Sequence, residues 1–320
     1  MSAKQAKHVK QRFVQLAEQT LQICKTKCYE CEGRCFCIEQ EMRYCLDNSQ
    51  LYLRCPNVKK SPDMARQTHF EVRQCTTLEA AHSVVSRCPE EVPLVLNFAS
   101  AKNPGGGFLR GARAQEESLA RSSGLYFCLM QDHVSQYYVD NRQDHSGLYT
   151  DHVIYSPRVP VFRSDDGSLL PFYLASFVTA PAVNAGVSRQ RIHEGNVEDL
   201  ILKTMRQRAA KVLAIALQHN YSTLILGAWG TGVFKNRVAD VAAMWRSLLV
   251  AASAEFFGCF GTVIFAVRDF KTCSEFSSTF FGGTPNTTGT PSKPTVERRV
   301  ANQHSAKQHR KERRRNAKHR

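Results

Sequence analysis

Residues 97–121 read NFASAKNPGGGFLRGARAQEESLAR and join a short apolar run, a glycine triplet and two adjacent glutamates. The apolar run, Pro93–Phe98, is typical of a buried strand. The triplet, Gly105–Gly107, costs backbone entropy on folding, which a chain accepts where side chains must be absent so that N–H groups can approach a ligand. The segment Gln115–Ala120 predicts the start of a helix, because its carboxylates suit the positive end of a helix dipole.

The spacing of the triplet and the glutamates resembles a known signature. Gly105-Gly106-Gly107, then seven residues, then Gln115-Glu116-Glu117 are similar to the GGG…QEE signature of microbial-type poly(ADP-ribose) glycohydrolases. The fold of that family is the macrodomain, so the resemblance implies a three-layer α/β/α sandwich with a mixed sheet that binds ADP-ribose. The resemblance extends over roughly residues 9–275. The alternative is an ordinary strand–loop–helix connection whose acidic residues only cap the helix.

Strands and helices alternate along the chain, which predicts an α/β protein from the pattern alone. Apolar residues at helical spacing in residues 4–24 predict an amphipathic N-terminal helical extension. We expect one catalytic domain over residues 1–280 and a disordered basic tail over residues 281–320. Further helices are predicted from residue 77 and at 118–131, 196–218 and 239–256, and strands at 69–73, 153–163, 172–178, 222–226 and 262–267.

A second glycine-rich loop, Gly227–Asn236, lies between a predicted strand and a predicted helix. A strand end, a Gly-x-Gly turn and a helix start together expose N–H groups that can bind an anion. The resembling family uses such a loop for the diphosphate, with an aromatic residue packing on the nucleotide. Phe234 matches that aromatic residue, although a core phenylalanine is the alternative. The family often has Cys at the position of Thr231 and Asp at that of Arg237, and we expect both departures to be tolerated.

The resemblance also implies a mechanism and the residues of the site. Glu117 donates a proton to the leaving hydroxyl and then activates water, while Glu116 holds ribose hydroxyls. A helix N-terminus lowers a carboxyl pKa, whereas a general acid needs a raised pKa. The rise in pKa that burial causes must therefore be larger than the lowering by the helix N-terminus. Neither a metal nor a cofactor is expected. The predicted substrate-binding residues are Asn103, Gly105, Gly106, Gly107, Gln115, Gly230, Thr231, Gly232, Val233, Phe234 and Asn184.

Several of these positions have a second interpretation, and so does the whole site. Asn184 can equally be a turn-forming residue beside Gly186. Thr76 and Thr77 are weaker candidates for the adenine end of the site, and one of them is expected to cap a helix. The expected partners are poly(ADP-ribose) and ADP-ribosylated proteins. A non-catalytic ADP-ribose-binding macrodomain is the alternative, but the intact glutamate pair argues against it.

Charge and hydropathy bear on the location of the protein in the cell. No secretory signal and no run approaching the roughly 20 apolar residues of a membrane helix is evident, so we expect a soluble, intracellular protein that binds no membrane. The net charge is +15, and residues 281–320 contain eleven Lys and Arg against two Glu. Within them, Arg310–Arg315 resembles a nuclear localisation signal and favours non-specific binding of nucleic acid or other polyanions. A nuclear or nucleocytoplasmic location in a eukaryote and a role in the DNA damage response are therefore predicted, with a solubilising tail as the alternative.

Seven of the twelve cysteines lie between Cys24 and Cys55. The run Cys28-x2-Cys31-x3-Cys35-x-Cys37 allows a zinc site. Its spacing is irregular and it contains no histidine, so a cysteine-rich β-hairpin around Gly33 is favoured. In the resembling family this region is a strand pair without metal. A disulfide framework is disfavoured without a secretory signal.

Overall fold

A computed structural model describes residues 3–58 and 67–282 of the chain. The helices are α1 (Ala3–Thr26), α2 (Glu39–Asp47), α3 (Thr77–Arg87), α4 (Gln115–Ser122), α5 (Leu125–Leu129), α6 (Gln136–Gln143), α7 (Ala185–Arg191), α8 (Val197–Gln218), α9 (Val238–Leu249) and α10 (Phe270–Phe281). The strands are β1 (Cys28–Cys31), β2 (Arg34–Cys37), β3 (Gln50–Tyr52), β4 (His69–Arg73), β5 (Leu94–Phe98), β6 (Val153–Arg163), β7 (Leu169–Ala180), β8 (Thr223–Leu226) and β9 (Thr262–Ala266). The predicted basic tail, apart from its first two residues, lies outside the described residues.

Within the described residues, seven strands form one mixed sheet in the order β3-β6-β7-β5-β8-β9-β4. The strands β7, β5, β8, β9 and β4 are parallel to their neighbours in that series, whereas β3, β6 and β7 pair antiparallel. The remaining two strands, β1 and β2, form a separate antiparallel hairpin. Parallel strands need crossover connections, and helices such as α3 and α8 provide them.

Two hydrophobic clusters cover the two faces of this sheet. Along β5, Leu94 and Leu96 belong to one cluster and Val95 to the other. The same alternation occurs in β8 and β9, because successive side chains of a strand point to opposite faces. Residues of α8, α9 and α10 join the first cluster, and residues of α3, α4 and α5 join the second. The three-layer α/β/α arrangement predicted from the sequence is thereby confirmed.

The N-terminal helix packs beside the glycine triplet. Ala17 of α1 shares a small buried cluster with Phe108 and Ala120, which lie in the loop before α4 and in α4 itself. Thr20 adds a buried hydrogen bond from its hydroxyl to the backbone oxygen of Arg121. The predicted N-terminal helix is therefore confirmed, and it contacts the segment that contains the glutamate pair.

Some predicted elements have different limits in the structure. The helix predicted over residues 118–131 breaks at Ser123, which forms a β-bridge with Val161, while Gly124 donates its N–H to Pro160. Backbone groups that pair with β6 cannot continue a helix, so the segment divides into α4 and α5. The helix predicted over residues 239–256 ends at Leu249. The helices α2, α7 and α10 and the strand β3 were not predicted from the sequence.

The cysteine-rich segment forms the predicted hairpin. Glu32 and Gly33 have φ of 51° and 71°, as a two-residue type I′ turn requires. Cys28 lies opposite Cys37, and both are exposed, as is Cys35 two residues along the same strand. The side chain of Cys31 is buried on the other face. All twelve cysteines lie in the described part of the chain and are free thiols.

We predict that the purified protein carries far less than one equivalent of zinc, because a structural zinc ion needs four ligands around one point. The hairpin instead divides its thiols between two faces. The described residues include no group of three or more His, Cys, Asp or Glu that could hold a metal ion. Elemental analysis and thermal unfolding with and without a chelator check this. Stoichiometric zinc, or a melting temperature lowered by the chelator, would contradict it.

No helix among the described residues is long and apolar enough to cross a membrane.

Candidate active site

The two glycine-rich loops lie at the same edge of the sheet. Strands β5 and β8 are parallel neighbours, with Leu94 opposite Leu224. Since the carboxyl ends of parallel strands meet at one edge, the loop that follows β5 and the loop that follows β8 lie side by side. This is the arrangement in which open α/β sheets commonly bind their ligands.

The glycine triplet is folded against the two carboxylates of α4. Gly106 has a φ of 60°, and its N–H donates to the backbone oxygen of Asn103 at 3.0 Å. A Cβ atom at Gly106 would collide with Glu117 Oε1 and would lie 3.0 Å from Glu116 Oε2. The absence of a side chain at this position therefore makes room for the protein's own carboxylates.

Glu116 is buried and held by the protein on both of its oxygens. Oε2 accepts the N–H of Ser100 at 2.7 Å, and Oε1 lies 3.5 Å from the amide nitrogen of Asn97. Burial raises the pKa of Glu116 to about 8, with the charge of Glu117 adding to the rise and the Ser100 N–H opposing it. The burial effect on Glu116 is thus larger than the stabilisation that its hydrogen bonds give to the charged form.

Glu117 is also buried, with 8% of its surface exposed, but only one of its oxygens is engaged. Oε1 accepts the N–H of Gly107 at 2.8 Å. Oε2 is buried and has no hydrogen-bond partner among the described residues. A buried carboxyl oxygen without a partner is costly, so a ligand group that donates to Oε2 would remove that cost.

Gln115 and Asn103 differ in what their side chains can do. The amide of Gln115 is occupied on both sides: its oxygen accepts the N–H of Phe98 at 2.9 Å, and its nitrogen donates to Leu96 O at 2.8 Å and to Thr77 Oγ1 at 3.2 Å. Gln115 therefore fixes the start of α4 to the end of β5. Asn103 is exposed on the loop, where its N–H donates to Ser100 Oγ at 3.1 Å.

The second loop is held from beneath by Asn236. The side-chain amide of Asn236 donates to Val183 O at 2.8 Å and to Gly230 O at 3.1 Å. Gly230 has a φ of 75°, and a Cβ atom there would lie 2.6 Å from that same amide nitrogen. At the tip of the loop, Gly232 has open space around it and Val233 is 81% exposed. The tip is therefore accessible, while its base is rigid.

Phe234 and Asn184 lie next to each other at the far side of this loop. Phe234 is half-buried, and its ring centroid lies 6.1 Å from that of Tyr149. The side-chain oxygen of Asn184 accepts the N–H of Val187 at 3.3 Å and so caps α7. The N–H of Gly186 in α7 donates to Phe234 O at 3.1 Å. Asn184 thus has the local, turn-forming role that the sequence left open.

A cleft of about 640 Å³ opens between the two loops and the ends of β4 and β9. Gln115, Thr231 and Gly232 line it, together with Thr76 and Thr77, which had been weaker candidates. Thr76 caps α3 as predicted, since its side chain accepts the N–H of Glu79. Lining residues that the sequence analysis did not identify include Phe13, Arg113, Arg121, Asp165 and Arg268.

Comparisons with known proteins identify the family. Residues 17–164 match the catalytic domain of microbial-type poly(ADP-ribose) glycohydrolases. The structure is similar to that of the poly(ADP-ribose) glycohydrolase from Thermomonospora curvata, with 39% identity and a TM-score of 0.76 over 84% of this chain and 100% of that chain. The same enzyme bound to the inhibitor ADP-HPD gives a TM-score of 0.74 at the same identity and coverage.

A second relative comes from Deinococcus radiodurans. Its poly(ADP-ribose) glycohydrolase in complex with ADP-ribose is 41% identical, with a TM-score of 0.65 over 75% of this chain and 97% of that chain. A comparison with curated proteins gives no match. The sandwich is therefore of the macrodomain type. The chain belongs to the microbial-type poly(ADP-ribose) glycohydrolase family, and it is a glycoside hydrolase that acts on poly(ADP-ribose).

We predict that Gly106→Ala reduces turnover on the order of 100-fold, because its methyl group displaces the Glu117 carboxylate and small misplacements of reacting groups are that costly. Gly195→Ala is the matched control: Gly195 also has a positive φ, 69°, but nothing lies within 4 Å of its Cβ position. Both variants lose roughly 1–2 kcal/mol from backbone strain. Turnover and unfolding are measured together, and equal activity in the two variants would contradict the prediction.

We also predict that Glu116 makes the ligand-free protein less stable as pH rises. The pKa of Glu116 is raised from 4.5 to about 8 in the folded state. The unfolded chain therefore ionises first, and the stability present below pH 4.5 is lost as pH rises through 8, on the order of 3–5 kcal/mol. Glu116→Gln removes this contribution. Urea unfolding of both proteins from pH 5 to 9 checks it, and parallel curves would contradict it.

Proposed function

We propose that this enzyme hydrolyses the ribose–ribose O-glycosidic bonds of poly(ADP-ribose) and releases ADP-ribose, with Glu117 as general acid and then general base. The observation that carries this assignment is the difference between the two carboxylates. The protein engages both oxygens of Glu116, whereas Glu117 Oε2 is buried without a partner. A group that exchanges a proton with a substrate needs such a free oxygen.

The proposed reaction uses Glu117 twice. The anomeric carbon separates from the leaving ribose oxygen through an oxocarbenium-like state, and the leaving oxygen takes the proton of Glu117. The resulting carboxylate then removes a proton from the water that attacks the anomeric carbon, which restores the acid. Oε1 stays on the Gly107 N–H throughout, so the group that moves the proton is Oε2. Glu116, fixed by Ser100 and Asn97, positions the ribose hydroxyls.

Burial supports the presence of a proton in this site at neutral pH. The pKa of Glu116 is raised to about 8, chiefly by burial. Glu116 and Glu117 both lie against Gly106, so the pair holds a proton on Glu116 at pH 7. The proton that Glu117 delivers therefore comes from a pair that retains one at pH 7. This offsets the acid-strengthening effect of the helix N-terminus.

The second loop and the cleft are proposed to bind the rest of the ADP-ribose unit. The backbone N–H groups of Gly230, Gly232 and Val233 suit the diphosphate, whereas that of Thr231 donates to Ala228 O at 3.3 Å. Phe234 packs on the nucleotide. The cleft beyond them, as far as Thr76 and Thr77, has room for the adenosine. Asn103 is proposed to contact the ribose, while Gln115 and Asn184 support the two loops. The complexes of the relatives with ADP-HPD and ADP-ribose support a ligand of this class.

A non-catalytic ADP-ribose-binding protein would not need an unpartnered carboxyl oxygen in its site, so that alternative is disfavoured. The nuclear location and the DNA damage role rest on the sequence alone and stay predictions. The polyanion-binding role of the basic tail lies outside the described residues, and the comparisons do not support nucleic-acid binding.

We predict that Glu117→Gln lowers turnover of poly(ADP-ribose) by on the order of 10²–10⁴, because the amide keeps the size of the side chain but cannot supply the proton. Its affinity for ADP-ribose changes little, since the diphosphate contacts come from backbone N–H groups. Glu116→Gln weakens both turnover and affinity, because it alters the groups that position the ribose.

Release of ADP-ribose and calorimetric affinity are measured for both variants. Glu79→Gln is the control, since Glu79 lies in α3 and, within the described part of the chain, its side chain bonds only to the N–H of Thr76. Should Glu117→Gln release ADP-ribose at nearly the wild-type rate, the catalytic assignment is wrong.

A further inference from the structure

Arg121 is a buried cation in the helix that contains the glutamate pair. It lies four residues after Glu117, so both side chains share one face of α4. Only 5% of Arg121 is exposed, and its Nη1 donates to Ala112 O at 2.5 Å. Within the described part of the chain, no carboxylate oxygen lies within 4.0 Å of its guanidinium. A buried charge without a direct ion pair is costly and calls for another explanation.

The guanidinium of Arg121 is held in place by the N-terminal helix. Its central carbon lies 4.5 Å from the centroid of the Phe13 ring, which is a cation–π contact. Thr20, also in α1, donates its hydroxyl to the backbone oxygen of Arg121. Burial lowers the pKa of Arg121 to about 10, so the group remains charged at neutral pH. Its position and its charge are therefore both fixed.

The charges of Glu117 and Asp165 favour the charged form of Arg121, whereas the charge of Arg113 disfavours it. Asp165 lies in the turn between β6 and β7, and it lines the cleft. Its oxygens accept the hydroxyls of Ser118 at 2.5 Å and Thr76 at 2.6 Å. Ser118 directly follows Glu117, so Asp165 is tied to the catalytic turn of α4 as well as to the start of α3.

We propose that Arg121 and Asp165 are positioning residues that set the proton affinity of the Glu116–Glu117 pair: Arg121 favours its ionised form and Asp165 counterbalances that effect. This inference rests on the proposed role of Glu117. When Glu117 gives its proton to the leaving oxygen, a buried carboxylate forms, and a fixed cation stabilises it without rearrangement. The negative charge of Asp165 offsets part of this effect, so the pair keeps its proton until the substrate is bound.

Other groups around the pair cannot replace this charge balance. Tyr137 and Tyr138 of α6 face Glu116, but burial raises the pKa of each phenol well above 10, so they stay neutral. Among residues 3–58 and 67–282, the charged and titratable groups that act on the pair or on Arg121 are Arg121 of α4, Asp165 of the β6–β7 turn, Arg113 of the loop before α4, and the phenols Tyr137 and Tyr138 of α6.

The test uses the pH dependence of kcat/KM, which reports the pKa of the essential acid in the free enzyme. Arg121→Gln removes the cation, so the acid binds its proton more tightly. The alkaline limb of the profile then moves to higher pH by about one unit, and kcat falls roughly 10-fold. Asp165→Asn has the opposite sign and moves the limb to lower pH, by up to about one unit. Arg121→Lys keeps the charge and keeps the limb near its wild-type position.

Arg246→Gln is the matched control, because Arg246 in α9 also donates to a backbone oxygen, that of Phe280 at 2.6 Å, and lies outside the cleft. It leaves the limb unchanged. Affinity for ADP-ribose is measured for every variant. Shifts of opposite sign in the two charge variants, with rescue by Lys, support the inference.

The inference is overturned if the alkaline limb stays at its wild-type pH in both charge variants. It is also overturned if Arg121→Gln weakens the affinity for ADP-ribose without moving the limb, because Arg121 would then bind the ligand directly. If Arg121→Gln does not fold, Asp165→Asn alone decides by the direction of its shift. Loss of activity in Glu117→Gln with unmoved limbs in both charge variants refutes this inference only. Activity in Glu117→Gln refutes the proposed function.

Discussion

Two adjacent carboxyl groups are buried at the first turn of α4, and the surrounding structure offsets part of the cost of removing them from water. Backbone N–H groups of Ser100 and Gly107 reach one oxygen of each glutamate, at 2.7 and 2.8 Å. They can do so only because the loop folds tightly at Gly106, where a side chain would occupy the position of the carboxylates. Burial of the two glutamates therefore requires the glycine triplet, the start of α4 and the connecting loop together.

The order of the strands in the sheet places a second glycine-rich loop next to the first. Strand β8 pairs parallel to β5, so the loop that follows β8 lies beside the loop that leads into α4. Asn236 fixes the base of that loop, and its tip remains open. In the proposed mechanism, Glu117 at the start of α4 moves the proton and the loop after β8 binds the diphosphate.

The sequence was sufficient for features whose cause is local. The continuous apolar run of β5, the glycine triplet and the paired acids each follow from a requirement within a few residues of the chain. Asp165 could not be recognised in this way, because it meets Ser118 across 47 positions and its turn has the ordinary Asp-Asp-Gly pattern. Arg121 was not identified from the sequence as a functional residue. Its burial depends on Phe13, which is far away in the sequence.

The structure was also needed to determine which predicted site residues have side chains free to contact a ligand. Gln115 and Asn184 have the polar side chains of ligand-binding residues, but backbone groups already occupy them. The two glutamates look equivalent in sequence. They differ because β5 and its loop surround Glu116 on both oxygens and leave one oxygen of Glu117 without a partner.

The most direct test is the reaction itself: purified protein is incubated with poly(ADP-ribose), without added metal or cofactor, and the products are separated by chromatography with mass detection. The account predicts that free ADP-ribose accumulates with time and enzyme concentration while the polymer shortens. Tight binding of ADP-ribose with an intact polymer after prolonged incubation would contradict it.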